Sequence, residues 1–88
     1  MPRATVEDVR REVTTFIVDN FLFGNQADAP ASDTSFMATG LIDSTGVLEL
    51  VAHVESKYGV SVADEDMIPD NLDSVAAIAA FVVRKQGG

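Results

Sequence analysis

The chain has 88 residues, one histidine, no cysteine and a formal net charge of −8. Without cysteine, disulfide and thiolate–metal staples are excluded, so packing among the 47% of residues that are apolar must hold one small core. The negative balance repels phosphate backbones, which argues against nucleic-acid binding, and it steers basic protein patches toward the surface.

Thr5 with Asp8 three residues later forms a weak capping box, and Val6, Val9, Val13, Phe16, Ile17 and Phe21 then recur at helical spacing. This predicts a first helix with Arg10, Arg11 and Asp19 outside, stopped by Gly24-Asn25. Residues 24–40 hold two glycines, Pro30 and many small polar residues, which predicts a long loop of the kind that is often functional. Phe36, Leu41 and Ile42 are expected to tie its second half to the core. A second long helix is predicted from Ser44 to Tyr58, ended by Gly59. Val60-Ser61-Val62 then crosses to Asp64-Glu65-Asp66, which is predicted to start a short third helix closed by Pro69. Asn71 or Asp73 is expected to cap a last helix that turns Val75, Ile78, Phe81 and Val82 inward.

The expected fold is therefore all-α: a small four-helix bundle of three longer helices and one short one, with a long first connection. One domain is expected over residues 1–88, with its core at about 5–84. The longest mostly apolar run, Val75 to Val83, falls far short of the ~20 residues that span a bilayer. The start, Met1 to Asp8, has no apolar segment of a secretory signal, so a cytoplasmic protein that does not enter membranes is expected.

The Ser44–Tyr58 segment carries two stripes. Val47, Leu50, Val51, Val54 and Tyr58 follow the spacing of a core face, while Thr45, Leu48, Glu49, Ala52, Glu55 and Ser56 fall on the other side. Leu48 is then an apolar knob among acids, the pattern of a transient docking face. Between Asp43 and Asp73 eight acids stand against one base, Lys57.

Few residues could carry chemistry. A serine hydrolase elbow needs Gly-x-Ser-x-Gly, but Ile42 stands two before Ser44. His53 lies nine residues further on the same predicted helix, about 13 Å along the axis and roughly half a turn round, so it cannot activate Ser44. Asp64-Glu65-Asp66 begins like a calcium loop, yet Ile68 and Pro69 stand where an oxygen ligand and a glycine are needed. A single histidine without cysteine offers no zinc set. Nothing among these residues makes an enzyme active site in its own right, and what remains is a serine at a helix N-terminus. Taken alone, Ser44 reads first as a helix N-cap, with Asp43 assisting. The same position also suits a phosphodiester on the serine oxygen, because helix N-termini favour negative groups.

Gly40-Leu41-Ile42-Asp43-Ser44, followed by Val47-Leu48-Glu49-Leu50-Val51, resembles the 4'-phosphopantetheine attachment signature of acyl carrier proteins. The helix order and the loop pattern Phe36…Gly40-Leu41 resemble that family over nearly the whole chain. The resemblance implies a covalent 4'-phosphopantetheine on Ser44, loaded from coenzyme A by a phosphopantetheinyl transferase, with acyl or aminoacyl groups held as thioesters on its thiol. It implies that Asp43 sits beside the arm and that Thr45, Leu48, Glu49, Ala52 and Glu55 face partners. Those partners would be an AMP-forming acyl or aminoacyl ligase or an acyltransferase, and a downstream synthase or transferase, met by a monomeric carrier. Thr45-Gly46 departs from fatty-acid-type carriers and is similar to the Ser-Met-Gly of D-alanyl carrier proteins, implying a specialised or aminoacyl-transfer pathway. Two alternatives stand beside this reading. One is an unmodified acidic helical adaptor; the other is a β-grasp modifier suggested by Gly87-Gly88, which would need strands this sequence lacks.

Overall fold

The computed structural model describes residues 5–87, and the expectations resting on Met1–Ala4 and on Gly88 lie outside the described residues. Helix α1 spans Val6–Phe21, α2 Phe36–Thr39, α3 Ser44–Tyr58, α4 Pro69–Leu72 and α5 Val75–Lys85. Single 3-10 turns sit at Gln26–Asp28 and Asp64–Asp66, and no strand occurs among the described residues. The all-helical bundle expected from the sequence is the observed fold, with three long helices as its frame.

Helix α1 starts as its sequence dictates. Thr5 Oγ1 accepts the Asp8 N–H at 3.1 Å and Asp8 Oδ2 accepts the Thr5 N–H at 3.4 Å, so each side chain satisfies the other residue's backbone donor. That bond and the nearby Arg11 guanidinium hold the Asp8 carboxyl below its ordinary range. Val9, Val13, Ile17 and also Val18 are fully buried, whereas Val6 is 40% exposed because the first turn overhangs the core. Arg10 does not stand clear of the fold as expected. It is half-buried and its Nε donates to Ser32 Oγ at 3.0 Å, pinning the long connection to α1.

That connection is more ordered than a loop. Its second half contains α2, capped by Ser35, whose Oγ accepts the Ala38 N–H at 3.1 Å. Gly40 ends α2 at φ 71°, a left-handed conformation that a glycine adopts without steric penalty. Phe36 and Ile42 are buried and Leu41 half-buried against the core, as expected. The region after α3 differs from expectation. The acids at 64–66 make only one 3-10 turn, and Pro69 opens α4 instead of closing a helix, since its missing N–H is harmless at the first position. Ser74, neither Asn71 nor Asp73, caps α5 by accepting the Ala77 N–H at 3.1 Å. Asp73 is engaged elsewhere. Its Oδ1 accepts the Met37 N–H at 2.9 Å, its Oδ2 accepts the Ser35 hydroxyl, and its carbonyl accepts the Phe36 N–H at 2.8 Å.

Helix α1 packs on α5 and α3, and α4 on α5. Val75, Ile78, Ala79, Phe81 and Val82 of α5 meet Leu50, Val51 and Val54 of α3 in one apolar core. No polar or charged residue is buried among those described. The radius of gyration, 12.0 Å, matches the roughly 12 Å of a folded chain this long.

Candidate functional site

The site is the start of α3. Asp43 is its N-cap: the backbone is extended at φ −89° and ψ −177°, and Oδ1 accepts the Gly46 N–H at 2.8 Å. Its carbonyl accepts the Val47 N–H at 2.9 Å. Ser44 is therefore the first helical residue and not the cap, which corrects the expectation from sequence. The reason is one of reach, because only the residue before the first turn can turn its side chain back onto the third amide. Ser44 is exposed and its side chain makes no hydrogen bond among the described residues. Its hydroxyl is not part of the fold's hydrogen-bond network and is not bonded to any carboxylate or to His53.

The histidine confirms this separation. His53 is half-buried and stacks on Phe16 of α1, with ring centroids 4.1 Å apart and planes 18° from parallel. Burial lowers its pKa, with Lys57 adding to the effect and Glu12 opposing it, so the ring is neutral near pH 7.

A groove of about 270 Å³ opens beside Ser44, lined chiefly by Met37, Val47, Leu48, Met67, Ile68 and Leu72, with Asp73 at its edge. Met37, Leu48 and Ile68 are 55%, 56% and 45% exposed, so three elements present apolar side chains around the serine. The core beneath, between Val47, Leu50, Val54, Ile78 and Phe81, has only about 10 Å³ of free space, room for about one water molecule. Thus the surface next to Ser44 offers apolar room and the closed core does not.

Of the residues singled out from sequence, Thr45, Leu48, Glu49 and Ala52 are exposed on α3. Glu55 is different: it is half-buried, and its Oε2 accepts the Val62 N–H at 2.9 Å, holding the 60–62 crossing against the helix. Met37, Ile68 and Asp73 were not anticipated. The tertiary hydrogen bonds that Asp73 accepts from Ser35, Phe36 and Met37, together with the buried Phe36, hold α2 at the groove, and local spacing gives no sign of those bonds. Among the described residues no group of acids or histidine could hold a metal ion.

Comparison with known proteins agrees with this geometry. The family model for the phosphopantetheine attachment site matches residues 22–82. An acyl carrier protein of Akkermansia muciniphila is 30% identical over 79 residues, which cover 90% of this chain and 94% of that protein. The chain belongs to the acyl carrier protein family. It is thus a carrier with a covalent 4'-phosphopantetheine and not a catalyst, and it works with a phosphopantetheinyl transferase and with enzymes that handle acyl groups. The residues present fit such a group: an exposed, unengaged hydroxyl stands at a helix start beside an apolar groove. No helix among the described residues is long and apolar enough to cross a membrane.

Proposed function

We propose that Ser44 is the residue that carries the 4'-phosphopantetheine arm, and that the chain presents acyl or aminoacyl groups to successive enzymes of a biosynthetic pathway. The observation that carries this reading is the division of labour at the start of α3. Asp43 does the capping, and Ser44 Oγ is left exposed without an intramolecular partner. When bound, the arm supplies a terminal thiol on which acyl groups travel as thioesters.

The chain's own residues do the rest. The Ser44 and Thr45 amides have no intrahelical acceptor at this end of α3, and with the helix dipole they favour a phosphodiester on the serine by about 0.3–1 kcal/mol. Leu48, Met37 and Ile68 give an apolar wall against which the arm or its cargo lies, since the closed core has no chain-sized space. Thr45, Leu48, Glu49 and Ala52 form the face read by partners, with the acid steering basic patches toward Ser44. Glu55 contributes to that face mainly by anchoring the 60–62 crossing. Thr45-Gly46 favours a specialised or aminoacyl-transfer pathway, charged by an AMP-forming ligase or an acyltransferase and emptied by a synthase or transferase. We read the chain as one carrier domain acting as a cytoplasmic monomer.

The test is intact-mass measurement after incubation with coenzyme A and a broad-specificity phosphopantetheinyl transferase. A gain of one phosphopantetheine, mapped to Ser44 and lost in Ser44→Ala, is the expected result. A chain that stays unmodified but binds a partner through α3 would instead be an adaptor.

A further inference from the structure

Gly46 occupies the third position of α3, inside a helix, where glycine is about 1 kcal/mol less favourable than alanine. Its φ is not left-handed, so backbone conformation does not explain it. Packing does. A Cβ at Gly46 would sit 2.6 Å from Ile42 Cγ2 and 2.9 Å from Phe21 Cε1, with Phe21 Cζ at 3.3 Å. Ile42 does not yield cheaply, and the half-buried Phe21 ring must swing off the turn. Ile42 is 2% exposed and its γ-methyl is on a branched carbon, while the Phe21 ring belongs to the last residue of α1. The missing side chain lets the end of α1 close edge-on against the first turn of α3. This turn also holds the Asp43–Gly46 bond, which spans Ser44 and Thr45.

We propose that Gly46 is a positioning residue for the loading of Ser44. With Phe21 and Ile42 it forms a seat that fixes the Asp43 cap and thereby the direction in which the Ser44 hydroxyl leaves the bundle. A methyl at position 46 forces the turn away from Phe21, and Asp43 and Ser44 move with it. The seat acts on geometry alone, because Gly46 presents no group to a partner. This inference rests on Ser44 being the attachment residue.

The test is steady-state loading of the full chain by the same transferase with coenzyme A, varying carrier concentration. Gly46→Ala is expected to lower kcat roughly tenfold while KM for the carrier stays unchanged, because the docking face survives and only the hydroxyl is misplaced. Phe21→Ala removes the seat from the other side without overfilling it and is expected to act in the same direction, and it decides the matter if Gly46→Ala fails to fold. Placing Phe21→Leu and Ile42→Leu in the Gly46→Ala background makes room for the methyl and is expected to recover most of the lost rate. A folded single variant with wild-type kcat, a change confined to KM, or no recovery in the combined variant overturns the seat. If the wild type itself gains no phosphopantetheine, the reading of Ser44 falls, and the seat with it; a loaded wild type isolates the seat.

Discussion

The two ends of α3 are built by opposite means. At the far end every distinctive side chain is occupied. Tyr58 donates its hydroxyl to Glu12 at 2.5 Å, Lys57 lies 3.5 Å from the same carboxylate, His53 stacks on Phe16, and Glu55 holds Val62. Burial and the Glu12 carboxylate push the Tyr58 hydroxyl well above the ordinary tyrosine range. At the near end Asp43 and Gly46 make the structure, and the exposed hydroxyl of Ser44 is left over. One helix is thus clamped where it must be rigid and bare where it must be reached. The side chains that satisfy the fold lie at the far end, and the near end leaves the Ser44 hydroxyl open to solvent.

The largest test of this contrast is Ser44→Ala. It should abolish loading while shifting stability by less than about 0.5 kcal/mol, because no cap is lost. Loading followed by intact mass, beside a thermal melt, checks both halves, and an unfolded variant would make Ser44 part of the frame. Next comes Glu49→Lys, expected to slow charging by partner enzymes most at low salt with little effect on stability. Glu55→Lys, by contrast, should also lower stability by about 1 kcal/mol, since the Val62 N–H loses its acceptor. Equal melting curves for the two variants would erase the distinction between them. Asp43→Ala should cost about 1 kcal/mol as a lost cap, measured by denaturant titration. Tyr58→Phe, which removes one hydrogen bond at the clamped end, should cost a similar or smaller amount and leave loading unchanged.

The smallest effect concerns pH. His53 has a folded pKa below its ordinary 6.5, so the unfolded chain takes up its proton first as pH falls. Its contribution to stability is present above pH 6.5 and is lost as pH drops through the folded value. His53→Phe keeps the stack but cannot titrate, so its melting temperature should fall less over that window. A parallel decline in both proteins would remove His53 as the cause. Asp8 and Asp66, both held below the ordinary 3.8 by hydrogen bonds and nearby cations, act only in a lower window.

Much of the frame was legible from local pattern. The Thr5–Asp8 box, the inward residues of α1, α3 and α5, and the stop at Gly59 follow from spacing and capping chemistry that operate within one or two turns. Where the structure of short segments differs from the local pattern, a distant partner explains α2. Phe36–Thr39 becomes helical because Asp73, far along the chain, accepts from Ser35 and Met37. Pro69 opens α4 because its missing N–H is harmless at the first helical position, and Ser74 caps α5 while Asp73 serves α2.

By itself the sequence determined the helical class, the acidic face and the Asp43-Ser44 segment that marks the family, because periodicity, charge and motif are local properties. Only the tertiary structure decided that Asp43 caps while Ser44 stands free, that Glu55 is committed, and that α2 and α4 wall a groove. It also decided why residue 46 lacks a side chain. These depend on which atoms meet across helices, and steric contact between Phe21, Ile42 and Gly46 leaves no trace in spacing.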